Sequence, residues 1–441
     1  MIKGCMKKGC LILYILFVIG CGQSNPPFEE DRRFAPRTDP IIVRIPTAEI
    51  TKNRPEGPID STFPQLVERG GVMYRPENLS PQFQAQLSNL IQEYFGTPAH
   101  PLIHLSPSSH ESANGTNETN GTGLSENDRL QLQQLEHSLT NQLMHNPEQC
   151  QEGGRLYRRH CLQCHGMEGD GRGPTGSWIF PHPRDFRSGF FKYVSSQNHP
   201  GRPLINDLQR TLKRGIPGTS MPSFALLDDH SRDAIISFVI YLSIRGEVER
   251  AVMLNYLQEE DSENTELSAN EIERTLKKIV LRWLEVQDHG ALKVPDPLLE
   301  NQVNENGSGP GINSSSNENS AKSEIKFANE IERGYRLFMS AGSCSQCHTN
   351  FGRDALYRFD AWGSLVKPLD LTQKERHGGD FAADIYYRLK NGIFPSQMPS
   401  LTNFSDADII DLVRFVQAIP YPRQLPPNIR TSIYPDLKLE K

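Results

Sequence analysis

Two short stretches, Cys161-Leu162-Gln163-Cys164-His165 and Cys344-Ser345-Gln346-Cys347-His348, constrain this chain more than any other part of it. Each has the C-x-x-C-H spacing used for covalent haem c attachment. Two thiols on one turn of chain reach the two vinyl groups of one porphyrin, and the histidine that follows brings its imidazole to the iron. A C-x-x-C pair alone would suit zinc or thiol redox chemistry equally well. A histidine directly after the second cysteine, found twice, separates these readings. Zinc would also need the two pairs to meet, and 180 positions separate Cys164 from Cys344, far beyond a zinc-ribbon spacing. The motifs ask for two covalently bound haem c groups, with His165 and His348 as proximal ligands.

Each half also offers a distal ligand at a matching place. Leu212-Lys213-Arg214-Gly215-Ile216-Pro217-Gly218-Thr219-Ser220-Met221-Pro222 aligns without a gap, at an offset of 177, with Leu389-Lys390-Asn391-Gly392-Ile393-Phe394-Pro395-Ser396-Gln397-Met398-Pro399. Asp207 and Asp384 keep that offset. A lone Met is more often a filler of core gaps. Two Met-Pro pairs at equivalent positions of Gly/Pro-rich loops point instead to Met221 and Met398 as iron ligands.

Residues 1–20 carry the marks of a targeting segment: Lys3, Lys7 and Lys8, then an apolar run from Leu11 to Ile19. That run is far short of the ~20 residues a membrane-spanning helix needs. Val18-Ile19-Gly20-Cys21 resembles a bacterial lipobox, which implies cleavage before Cys21 and lipid on its sulfur; an ordinary secretory signal or an uncleaved anchor is the alternative. Of eight cysteines, Cys5 and Cys10 leave with the signal, Cys21 takes lipid and four take haem, so Cys150 alone remains and no intramolecular disulfide framework is expected. The net charge of −6 gives no basic excess pointing to nucleic acid.

The 441 residues suffice for two or three domains. Residues 21–147 are expected as an N-terminal stalk and helical extension. Its parts are a flexible stretch to about Asp39, a helix opened by Ser80-Pro81 and ended at Gly96, a disordered polar tract over 106–123, and a helix from Ser125 to His145 closed by Pro147. The first haem domain spans 148–245, with helices before Cys161 and over Asp233–Ser243. Residues 246–322 form an acidic insertion with one helix, opened by Ser268-Ala269-Asn270-Glu271 and stopped at Gly290, and a linker over 303–321. The second haem domain spans 323–425, and 426–441 is a tail. Ile409-Ile410 matches Ile235-Ile236 at an offset of 174, which implies three residues lost after the second Met loop. The two domains are one duplicated helical unit, and the fold class is all-α: two tandem domains with helical and disordered extensions, terminal helices crossing, haem in a cleft and the Met loop opposite.

With these motifs the chain resembles class I c-type cytochromes, and specifically bacterial di-haem cytochrome c lipoproteins. The resemblance covers roughly half the chain. Cys164-His165-Gly166-Met167-Glu168-Gly169-Asp170-Gly171-Arg172-Gly173-Pro174 looks like the family's glycine-rich loop after the haem motif, whereas Cys347-His348-Thr349-Asn350-Phe351-Gly352 departs from it. The resemblance implies electron transfer rather than turnover of a substrate. The expected function is a membrane-tethered electron carrier on the periplasmic side of the cell envelope, passing electrons between a redox-protein donor and acceptor towards a terminal oxidase. The alternative is catalysis: the cytochrome subunit of a periplasmic dehydrogenase, or a di-haem peroxidase with His182, His199 or His377 at a vacatable iron. Haem propionates need donors, and Arg184, Arg187 and Lys192 in one half, with Lys367 and Trp362 in the other, are the candidates.

Overall fold

The computed structural model describes residues 32–44, 72–105, 126–143, 146–197, 199, 201–258, 267–299, 318–340, 344–360 and 364–437. The signal segment, Cys21, the polar tract 106–123, most of the 303–321 linker and Trp362 lie outside these residues. Among those described, no helix is long and apolar enough to cross a membrane.

Among the described residues the first elements are a two-stranded antiparallel pair, β1 (Ile41–Arg44) and β2 (Val72–Tyr74), in which Ile41 faces Tyr74. Helix α1 (Pro81–Phe95) starts where Ser80 accepts the Phe83 amide and stops at Gly96, whose φ of +68° only glycine adopts freely. Helix α2 (Glu126–Gln142) follows. Pro147 does not close that helix but opens the next, α3 (Pro147–His160), with Asn146 capping the Glu148 amide at 2.9 Å. The missing N–H of proline costs nothing in a first helical turn.

The first haem-motif unit consists of α3, the short α4 (Leu162–His165), α5 (Ile205–Arg214) and α6 (Asp229–Gln258). Its terminal helices touch backbone to backbone, because a Cβ on Gly153 would lie 1.9 Å from the Ala234 carbonyl oxygen. Helix α6 runs unbroken through position 245, so the expected boundary there coincides with no break in the helix. Residues 246–258 continue an apolar face that packs on the N-terminal segment, where the Phe83 and Tyr256 rings stand 3.8 Å apart; earlier on the helix the Tyr241 hydroxyl donates to the Phe95 carbonyl at 2.8 Å. Helix α7 (Ala269–His289), capped by Ser268 and ended by Gly290, buries Ile272, Leu276, Ile279, Val280 and Trp283 in the same core. The Trp283 indole donates to Glu247 at 2.7 Å. The extensions are thus fused to the first unit.

Part of the expected stalk belongs to that body as well. Phe34 is buried beneath the Arg245 guanidinium, and Asp39 pairs with Arg37 at 2.7 Å and Arg187 at 2.8 Å.

After a short helix α8 (Asp296–Leu299), the second unit repeats the plan. It consists of α9 (Glu318–Met339), α10 (Cys344–Cys347), a strand pair β3 (Arg358–Phe359) with β4 (Leu365–Val366), α11 (Ala382–Asn391) and α12 (Asp406–Ala418). A Cβ on Gly334 would lie 2.1 Å from the Asp411 carbonyl oxygen and 2.7 Å from the Phe415 Cβ, as one on Gly153 would meet those of Ala234 and Phe238. Ala234 to Asp411 and Phe238 to Phe415 are both offsets of 177. The last helix therefore keeps the register of the Met loop, and no residues are lost there. Ile409-Ile410 misleads because three residues is close to one helical turn, so a slipped pair satisfies the same apolar stripe. A final helix, α13 (Pro427–Ile433), buries Ile429 and Ile433 in the second core, so the expected tail is part of the unit.

Candidate functional site

Both C-x-x-C-H motifs and both Met-Pro loops open into one continuous cavity of about 640 Å³. Its lining includes Cys161, Cys164, His165 and Met221 from the first unit and Cys344, Cys347, His348 and Met398 from the second. Sequence repeats alone gave no sign that the two sites share a wall.

The two histidines are held identically. His165 Nδ1 lies 3.1 Å from the Arg184 carbonyl oxygen, and His348 Nδ1 lies 3.1 Å from that of Leu369. A carbonyl only accepts, so each Nδ1 carries the proton and each Nε2 keeps a lone pair for a metal, the arrangement that fixes a ligating imidazole. Burial pushes His165 down to about 4 and moves His348 in the same direction, so both rings are neutral near pH 7, as metal binding requires. The carbonyls sit in matching turns, Pro183-Arg184-Asp185 and Pro368-Leu369-Asp370. In each the aspartate accepts a backbone amide two residues on, at 2.9 Å.

The divergent loop after His348 reaches the same end by other means. In the first unit, Gly166, Gly169 and Gly171 take positive φ, and the Phe186 amide bonds the Gly169 carbonyl at 2.7 Å. In the second, Asn350 and Phe351 take φ of +50° and +59°, Gly352 takes +95°, and the Leu371 amide bonds the Phe351 carbonyl at 2.8 Å. Left-handed backbone in a bulky residue is costly. Here Phe351 is buried against Phe338, with ring centroids 5.9 Å apart, and that packing offsets the strain.

The Met loops superpose bond for bond. The Ile216 amide donates to the Met221 carbonyl at 3.1 Å, and Ile393 to Met398 at 3.0 Å. Phe224 donates to Leu212 and Leu401 to Leu389, both at 2.9 Å. Gly215 and Gly392 let the returning strand pass, since a Cβ on either would lie within 2.8 Å of backbone at Pro222 or Pro399. Gln397, at φ +67°, is anchored by its side-chain amide donating to the Phe359 carbonyl at 3.0 Å.

Cationic groups from both units reach the cavity: Arg184, Lys192, Arg358, Lys367 and Arg388 line it. Burial, with the Arg184 charge beside it, brings the Lys192 ammonium down to about 8. An anionic group in the cavity would favour its charged form. Arg187 does not belong to this set. It turns away to Asp185 at 2.7 Å and Asp39 at 2.8 Å, and becomes a buried structural ion pair. Arg358 and Arg388 were missed by sequence reasoning. For Arg388 a signal existed: at the 177 offset its counterpart is Thr211, which also lines the cavity, so a charge replaces a neutral residue on the site-facing side of the repeat.

The remaining histidines divide. His182 lines the cavity, with Nδ1 3.2 Å from the Gly176 carbonyl oxygen. His377 also lines it, with Nε2 3.3 Å from the Gly218 carbonyl oxygen, so it packs on the first unit's Met loop rather than beside Met398. His199 stands elsewhere, against His289. Cys150 is fully buried, and burial raises its thiol far above the ordinary range, which leaves it inert. Burial also raises Cys161 to about 12 and Cys344 to about 11, unlike the depressed values of redox-catalytic cysteines. Paired thiols, a neutral imidazole with a bare Nε2, a facing thioether and a basic, largely apolar wall fit a haem c group in each half.

Residues 148–239 match the family described as cytochrome c oxidase, cbb3-type, subunit III, and residues 331–420 match the family described as cytochrome c. A comparison with curated proteins finds no match. One solved chain, from the reducing HAO-like protein complex of Kuenenia stuttgartiensis, is similar at 20% identity over 61% of this chain and 95% of its own, with a TM-score of 0.40.

Proposed function

Since the chain is a class I c-type cytochrome carrying two such domains, we propose that it is a di-haem electron carrier in which His165 with Met221 and His348 with Met398 ligate the two irons. Haem c, when bound, supplies a one-electron ferric/ferrous couple. The chain's own residues do the rest. Cys161 with Cys164 and Cys344 with Cys347 hold one porphyrin each by thioether bonds. The Arg184 and Leu369 carbonyls fix the proximal rings, and the stiff Met loops offer a thioether that favours the reduced state. Arg184, Lys192, Arg358 and Arg388 receive propionates. The observation that carries this reading is the common cavity: both attachment motifs and both Met ligands line it, so an electron need not leave the protein to pass between sites. Six-coordinate His/Met iron favours electron transfer over substrate binding, which sets catalysis aside.

We further propose that Cys21 is lipidated, that the described residues lie outside the cytoplasm, and that a respiratory redox protein supplies electrons that leave towards a terminal oxidase. The description of the family matched by the first domain, an oxidase subunit, supports that direction. Denatured protein on a haem-stained gel should keep its haem, and Cys161→Ala with Cys164→Ala should remove half of the stain. Release of both haems on denaturation would overturn the covalent assignment. Labelled fatty acid should enter the wild type and not Cys21→Ser; no label in the wild type would end the tether proposal.

A further inference from the structure

Away from the cavity, three metal-competent side chains converge where the end of α7 meets the loop that precedes α5. Glu285 and His289 are four residues apart on the helix, so they share a face. His199 approaches that face from the loop. Its Nε2 lies 3.3 Å from His289 Nδ1. One ligand atom from each of His199, Glu285 and His289 lies within 4.8 Å of the other two. In a tetrahedral site with bonds of about 2.0–2.1 Å, ligand atoms stand about 3.3 Å apart. The two nitrogens already have that separation, and a Glu285 carboxylate oxygen lies within 4.8 Å of them.

We propose that His199, Glu285 and His289 form a binding site for a first-row divalent ion of the zinc type, independent of the haem sites. Two imidazoles and one carboxylate suit zinc rather than calcium or magnesium, which prefer all-oxygen shells. Three protein ligands leave a fourth position for water. The frame that carries the ligands is fixed by backbone bonds across the same junction. The Gln197 amide donates to the Gly290 carbonyl at 3.0 Å, the Leu292 amide to that of Ser195 at 2.8 Å, and Ser196 bridges Ala291. The same loop offers the Val194 and Ser196 carbonyls to the Asn391 side chain of the second unit, at 3.2 and 3.1 Å. An ion here clips α7 to the loop on which the second unit rests.

The test is a zinc titration of the full-length di-haem protein against a chelating indicator, with zinc-edge X-ray absorption, which the haem iron does not obscure. Wild type should bind one equivalent that is lost in His199→Ala and in His289→Ala, weakened at least tenfold in Glu285→Gln, and unchanged in His137→Ala, an exposed histidine outside the cluster. Unaltered haem spectra in each variant show that the fold and the electron-transfer sites survive. Absorption should report two imidazoles on zinc. Equal zinc binding by wild type and a His199→Ala/His289→Ala double variant, or a zinc shell without imidazole, would overturn the proposal.

Discussion

At the residue scale, the proximal carbonyls are the points on which each histidine depends. A Cβ on Gly352 would lie 2.0 Å from the Leu369 carbonyl oxygen, the atom that receives His348 Nδ1–H. Gly352→Ala should therefore cost about 1–3 kcal/mol through overpacking, with a further penalty from φ of +95°. It should also convert part of the second haem to high spin in the oxidised optical spectrum. Gly290→Ala is the internal control: its φ is +69° with nothing within 4 Å, so only the backbone term of about 1–2 kcal/mol applies. Tyr157→Phe should be milder. Its hydroxyl donates to the Gly166 carbonyl at 2.8 Å, worth about 1 kcal/mol, and Phe338 fills the equivalent place in the second unit without a hydroxyl. Thermal melts of the three variants, read at the haem band, check the order. The four cysteines and two histidines could be proposed from sequence because covalent attachment demands fixed spacing, and Met221 and Met398 because their loops repeat at one offset. Arg358 could not be, because the cavity wall it joins is assembled by both units and no local pattern encodes that, while Arg388 was marked only by its place in the repeat opposite Thr211.

At the element scale, the duplication is expressed most strictly in backbone contacts. Gly153 against Ala234 and Gly334 against Asp411 set how closely the terminal helices approach. Gly334→Ala should lower the stability of the second unit by about 1–3 kcal/mol and leave the first haem's spectrum intact. Separate thermal transitions, each followed at one haem, would show this; equal destabilisation of both units would contradict it. Helix ends such as Ser80, Ser268 and Gly290 could be read from sequence because caps satisfy the terminal amides and carbonyls locally. The true end of α6 could not. Its residues up to Gln258 stay helical because α1 and α7 bury their apolar face, a tertiary cause with no local stop signal. Periodicity also permitted the 174 offset, and only the glycine contacts exclude it.

At the scale of the whole molecule, the two units are joined around the cavity rather than strung on a linker. Asn391 bonds two carbonyls of the first unit, and the Phe190 and Phe394 rings stand 4.9 Å apart across the junction. Asn391→Ala leaves those buried carbonyls without this donor, a loss of about 1–3 kcal/mol. Electron exchange between the haems, measured by rapid mixing with a one-electron donor, should slow while each iron keeps its axial ligands. Sequence showed two domains but not their junction, since the contacts pair residues nearly 200 positions apart.

The central claim is that each iron is held by one histidine and one methionine. It is tested most directly by the sulfur-to-iron charge-transfer band of the oxidised, full-length protein, compared across wild type, Met221→His and Met398→His. Each substitution should remove its own half of the band and lower one of the two reduction potentials, leaving the other in place. A wild type without the band, or a second haem that stays low-spin at an unchanged potential in Met398→Ala, would contradict it.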